Sequence, residues 1–188
     1  MTAAAQPGPV APKPPQAAPP AALEALFHEH HGAIFRAAYR ITGEVADAED
    51  VLQTVFMRLL RREDELDLSE SASSYLHRAA VNAALDLLRA RRRARAVALS
   101  EVAETLEQAD PGPERSRGGR ELGRQLRAAL TRLPPKSAEI FALRYFEEYS
   151  NQEIARLFGA SQTSIAVILH RARHRLRKEL GALLGGLS

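Results

Sequence analysis

The stretch Ser150–Lys178, SNQEIARLFGASQTSIAVILHRARHRLRK, decides the fold of the second half of this chain. Ser150 followed by Glu153 is a capping box, in which the Ser oxygen accepts a free amide at the helix start and the Glu reaches back. Ile154, Ala155 and Leu157 then share one side of a short helix. Gly159, without a Cβ, suits a tight turn. Ser161 is placed to cap a longer helix whose Ile165, Leu169, Ala172 and Leu176 recur at helical spacing. Close approach at Ala155, a turn at Gly159 and an anchor at Ile165 make a helix-turn-helix, a motif that lays its second helix in the major groove of DNA. Arg171, Arg173, Arg175, Arg177 and Lys178 add positive charge for phosphates. A plain helical hairpin with a solvated basic end is the competing reading of this stretch.

Composition points the same way. The chain has 188 residues, enough for one or two small domains, and lacks both Trp and Cys. Abundant Leu, Ala and Arg with few aromatics suit packed helices. Without cysteine there is neither a disulfide framework nor a thiolate zinc site. No apolar run approaches bilayer-spanning length and nothing at the start resembles a signal peptide, so a cytoplasmic protein without membrane insertion is expected. Net charge is only +3, but residues 118–188 carry twelve Lys/Arg against six Asp/Glu, whereas residues 97–117 carry five acids against two Arg. Basic ends joined by an acidic connector suggest two nucleic-acid-facing modules.

Outward from the motif, residues 1–22 hold seven of the eleven prolines and read as a disordered, partly polyproline-like tail. Leu23, Leu26, Phe27, Ile34, Ala38 and Ile41 fit one helical face, stopped by Gly43. His28 and His31 lie one turn apart with Glu24 a turn earlier, but nothing completes a ligand set, so no metal or other cofactor is expected. Asp47, Glu49 and Asp50 open the next helix at its positive end. Val51, Val55 and Leu59, with Leu52 and Phe56, form its buried stripe, leaving Asp47, Asp50, Gln53, Thr54 and Arg58 for the exposed side.

A third helix is expected from about Ser74 to Arg95, with Leu76, Ala79, Ala80, Ala83 and Leu87 as its core face. Arg78, Asn82, Asp86, Arg89 and Arg93 follow at spacings of three or four, forming one polar ridge. An amide flanked by arginines suits an unstacked base held beside its phosphates, and a solvated charged face is the equal alternative for this helix alone. Residues 97–119 read as an acidic flexible linker. Helices resume at Arg120, with Leu122, Leu126, Ala129 and Leu133 on one face. After the Pro134-Pro135 break come Ile140, Phe141 and Leu143, and then the helix-turn-helix.

These blocks together resemble the extracytoplasmic-function (ECF) group of RNA polymerase sigma factors. AYRITGEVADAEDVLQTVFMRLL and YLHRAAVNAALDLLRARRR, within residues 23–96, are similar to the family's region 2. LRAALTRLPPKSAEIFALRYFEEYSNQEIARLFGAS and LHRARHRLRK, within residues 122–178, are similar to its region 4. Two blocks in the family's order and spacing are more specific than a lone helix-turn-helix. The resemblance implies an all-α protein of two small helical domains, 23–96 and 120–188, joined by a flexible linker.

It further implies a subunit that binds core RNA polymerase and directs it to promoter DNA, both as duplex and as melted non-template strand. Asp47, Glu49, Asp50 and Gln53 would face the polymerase. Arg78, Asn82 and Arg89, with Arg93 on the same ridge, would meet the minus-ten element. Gln162, Thr163, His170, Arg171 and Arg173 would meet the minus-thirty-five element. An anti-sigma factor is a further partner the family allows. The chain departs from the family pattern at Thr54, where an acid is usual, at Tyr75, where Trp is common, and at Ala166-Val167-Ile168, where polar and basic residues are common. No nucleophile–base–oxyanion constellation or Gly-rich phosphate loop suggests catalysis. The rival readings are a stand-alone helix-turn-helix regulator and a degenerate sigma-like interaction module.

Overall fold

The computed structural model describes residues 20–61, 72–101 and 114–185, with side chains placed over 24–61, 72–97 and 119–181. The described residues form seven helices and no strand: α1 (Pro20–Thr42), α2 (Val45–Arg61), α3 (Ala72–Glu101), α4 (Glu114–Leu130), α5 (Pro135–Tyr145), α6 (Asn151–Phe158) and α7 (Gln162–Gly185). The proline-rich stretch through Pro19, residues 62–71 and most of the acidic connector, 102–113, lie outside the described residues. Helix enters the expected linker from both sides, since α3 runs on to Glu101 and α4 starts at Glu114, not Arg120.

Helices α1, α2 and α3 pack on one another, and α7 gathers α4, α5 and α6 around it. In the first group Ile34 and Ile41 of α1 meet Val51, Val55 and Leu59 of α2 and Leu76 and Leu85 of α3, all buried. Fully burying each such aliphatic side chain contributes about 1.5–3 kcal/mol. The expected core face of α3 is too narrow. Val81, Ala84 and Leu85 are buried as well, because α3 also packs against α4 and α5 of the second group. Ala79 and Leu87 are only partly buried.

The helix-turn-helix forms as its sequence dictates. Ser150 Oγ accepts from the Glu153 amide at 3.2 Å and the Ser150 amide donates to Glu153 Oε2 at 2.8 Å, completing the capping box. Gly159 ends α6 with φ of 56°. Ser161 Oγ then accepts the Ser164 amide at 3.1 Å, capping α7. Ile165, Leu169, Ala172 and Leu176 all point inward. The Pro134-Pro135 pair both interrupts the chain and starts α5, with Pro135 at the first helical position, where its missing N–H costs nothing. On α4 the expectation for Leu122 is corrected: it is 51% exposed, and Gln125 is buried in its place.

The two helical groups are in contact. Gly43, at φ 78°, lies so close to the Arg127 guanidinium that a Cβ there would collide with it, and Arg127 Nε donates to the Ile41 carbonyl at 3.1 Å.

Candidate polymerase and nucleic-acid interfaces

On α2 the exposed side carries Glu49, Asp50 and Gln53, three side chains brought together by i, i+3 and i+4 spacing. Asp47 does not join them, and its expected place on the outer surface is corrected. Its carboxylate is 1% exposed, and both of its oxygens face the guanidinium of Arg91 on α3. Burial raises its pKa, opposed by Arg91 and reinforced by Glu44 and Asp50. Asp47 therefore ties α2 to α3.

Between α2 and α3 lies a cavity of about 440 Å³ lined by Val55, Arg58, Arg61, Tyr75, Arg78, Ala79 and Asn82. Three guanidiniums and an amide around a partly apolar floor suit a planar base with its phosphate: cations hold the anion, and the amide offers both a donor and an acceptor. Arg58 and Arg61 were not among the expected site residues. Their signal was the basic end of α2, a place where helix geometry alone favours cations.

The polar ridge of α3 is divided by its surroundings. Arg78 Nε donates to Glu139 Oε1 of α5 at 2.6 Å, its Nη1 donates to the Leu157 carbonyl at 3.2 Å, and its guanidinium lies 4.4 Å from the centre of the Phe158 ring. Asn82 Nδ2 donates to the same Glu139 Oε1 at 2.9 Å. Arg89 turns back along its own helix to Asp86 at 3.0 Å, whereas Arg93 is exposed. Glu139 was missed in the sequence. It sits between Ala138 and Ile140, both fully buried, and an acid inside an apolar run is the trace it left.

Further contacts join the two groups. Arg40 donates to Glu147 and to the Phe146 carbonyl, each at 3.2 Å. His77 Nδ1 is 3.1 Å from the Tyr149 hydroxyl, and Arg92 donates to Thr131 Oγ1 at 3.2 Å. Burial raises the Glu147 pKa against the pull of Arg40, and burial lowers that of His77, with His30, Arg40 and Arg36 adding to the effect.

On α7, Gln162, Thr163, His170, Arg171 and Arg173, the residues expected to face DNA, are all exposed. Ala166 and Val167 lie among them, Val167 42% exposed, while Ile168 packs partly against the core. The histidines of α1 find local partners: His28 faces Glu24 at 3.7 Å, and His31 Nδ1 donates to the Phe27 carbonyl at 3.0 Å. Among the described residues no helix is long and apolar enough to cross a membrane.

Comparison with known proteins matches residues 26–94 to Sigma-70 region 2 and residues 123–176 to Sigma-70, region 4. The chain belongs to the ECF group of RNA polymerase sigma factors. It is 34% identical over 88% of its length to the ECF RNA polymerase sigma factor SigE of Mycolicibacterium smegmatis, and spans 63% of that protein. It is 32% identical over 85% of its length to the RNA polymerase sigma-E factor of Streptomyces coelicolor, covering 86% of that protein. Among solved structures, CnrH in complex with the cytosolic domain of CnrY shares the fold at a TM-score of 0.53 and 22% identity, with 86% of this chain and 89% of that chain covered. The sigma factor thus consists of a region 2 half, α1 to α3, and a region 4 half, α4 to α7. Sigma factors are transcription factors.

Proposed function

We propose that this ECF sigma factor, which directs RNA polymerase to promoters and starts transcription, divides that work among three surfaces. Glu49, Asp50 and Gln53 on α2 dock on core polymerase, where charged contacts steer association and fix register. Arg78 and Asn82, with Arg58 and Arg61 across the cavity, hold the melted non-template strand of the minus-ten element. Arg89 and Arg93 extend the same helix toward its phosphates. Gln162, Thr163, His170, Arg171 and Arg173 on α7 hold the minus-thirty-five duplex.

The observation that carries this reading is the cavity, which gathers three arginines and an asparagine from two helices. The upstream contact leans on phosphates, since Ala166 and Val167 offer no side-chain hydrogen bond and at most touch a thymine methyl. The chain makes and breaks no covalent bond itself, and it works in the cytoplasm beside its polymerase. An anti-sigma factor is a further partner of the kind seen with the sigma factor RpoE of Bartonella quintana, crystallised with the anti-sigma factor NepR.

Run-off transcription with purified core polymerase on a library of bacterial promoter fragments tests the reading. Promoter-dependent transcripts are expected. Duplex binding without transcripts would make the chain a stand-alone regulator, and polymerase binding without transcripts would make it an interaction module.

A further inference from the structure

Helix α7 is held on the core by Ile165, Leu169, Ala172 and Leu176, all buried. Val167 comes two residues after Ile165 and two before Leu169, and at about 100° per residue that turns it to the opposite side. It is 42% exposed, near the amino end of the second helix of the helix-turn-helix, the part of such a helix that meets base edges.

Its neighbours one turn away are Thr163 and Ser164 before it and His170 and Arg171 after it, all exposed. Ser164 Oγ lies 2.9 Å from Ser161 Oγ, turned back to the cap that starts the helix. From Gln162 to Lys178 the chain carries five Arg/Lys and no acid. One valine, even with Ala166 beside it, is not the contiguous apolar patch that a protein partner covers. The cations along the same helix fit a phosphate backbone instead.

The major-groove edges of the bases offer a valine one apolar group, the C5 methyl of thymine. Against the amino groups of cytosine and adenine, or the acceptors of guanine, it displaces water without supplying a hydrogen bond. Val167 therefore discriminates twice, by contact with a methyl and by a penalty on polar edges.

We propose that Val167 is a specificity-determining residue of the minus-thirty-five contact and selects a C5-methylated pyrimidine, thymine or 5-methylcytosine, at one position of the duplex. This rests on the assignment of α7 to that duplex, where Arg171 and Arg173 meet phosphates and place the helix without reading a base. A hydrogen-bonding side chain would separate the two pyrimidines by the thymine O4 acceptor and the cytosine N4 donor. Valine responds to the methyl that they share, so methylating a cytosine at that position strengthens the contact.

The test uses the full chain in holoenzyme, wild type and Val167→Ser, the exchange being at an exposed position that leaves the core of α7 untouched. The probes are duplex promoter fragments selected by wild-type holoenzyme from a pool randomised over the minus-thirty-five element, with binding read by competition anisotropy. The selected fragments should share a thymine at one position. Deoxyuridine there removes the methyl and keeps the pairing, and is expected to weaken binding about 3–5-fold, the effect of returning one methyl to water. Cytosine opposite guanine should bind more weakly still, and 5-methylcytosine should regain about 3–5-fold over cytosine. In Val167→Ser both methyl effects should disappear.

A loss with deoxyuridine but no gain with 5-methylcytosine would support thymine as the one pyrimidine taken. Methyl effects that persist in Val167→Ser come from the duplex itself and would overturn the proposal. A selected set without a shared thymine, or one indifferent to deoxyuridine, would overturn it as well. In those cases weaker duplex binding by Arg171→Ala with Arg173→Ala keeps α7 on the minus-thirty-five element. Unchanged binding by that double variant would sink the assignment of α7, and the role of Val167 with it.

Discussion

Replacing Arg91 by Met should destabilise the protein far more than replacing its partner Asp47 by Asn, although the two changes remove the same ion pair. Asp47 is buried between α2 and α3, whereas the Arg91 side chain is 49% exposed. Loss of Arg91 strands a charge inside the packing, and Glu44 and Asp50 repel it further. Removing one partner of a fully buried pair costs about 3–5 kcal/mol, and partial solvation of Arg91 brings the expected cost down to about 2–3 kcal/mol. Asparagine keeps the size of Asp47 and one acceptor while shedding the buried charge, so Asp47→Asn should stay within about 1 kcal/mol of wild type. For a chain of this length the Arg91→Met loss corresponds to a Tm lower by about 5–10 °C, readable by circular dichroism.

The pH dependence has a definite sign. Burial raises the folded pKa of Asp47 above its ordinary value, so the native state keeps a proton that the unfolded chain has released. Stability from this group therefore falls as pH rises from the ordinary aspartate range through the folded value. Without Arg91 the folded pKa climbs further, and the deficit of Arg91→Met should shrink as the pH is lowered from about 7 to about 5. Asp47→Asn should remove this part of the pH profile, and the double variant should recover most of the Arg91→Met loss. The reasoning fails if Asp47→Asn is as damaging as Arg91→Met, or if the double variant costs the sum of the two.

Three further outcomes are expected. Asp50→Ala with Gln53→Ala should reduce co-purification with core polymerase while leaving helical content unchanged, since both side chains point away from the core. In holoenzyme, Asn82→Ala should diminish permanganate reactivity of the melted region and relax minus-ten selectivity by about 1–3 kcal/mol at the affected base, whereas Arg93→Ala should weaken binding evenly across sequences. Ala166→Lys with Val167→Arg should steepen the salt dependence of duplex binding by about 0.9 in log–log slope per added phosphate contact, measured by anisotropy with the full chain.

Much of region 4 was legible because its determinants are local. The Ser150–Glu153 capping box, the Gly159 turn, the Ser161 cap and the helical period of Ile165, Leu169, Ala172 and Leu176 each depend on residues a few positions apart. The same holds for the exposed Glu49, Asp50 and Gln53 and for the polar face of α7. A single helix has one inside and one outside, and periodicity alone separates them.

Periodicity misplaced residues wherever a helix serves two neighbours. An acid in the first turn of α2 reads as solvent-facing, and only Arg91, 44 positions later, makes burial of Asp47 tolerable. Leu122 fits the apolar spacing of α4 yet lies exposed, because the packing of α4 on α3 and α7 leaves that side uncovered. The ridge of α3 was read from its sequence, but its division was not: Glu139 reaches Arg78 and Asn82 from 61 and 57 positions away. The helices, the turn-helix motif and the family of this sigma factor are readable along the chain, since they follow from backbone preference and apolar period over a short span. Which charges pair across the two halves emerges from packing alone, because a buried charge is settled by the partner that meets it in space.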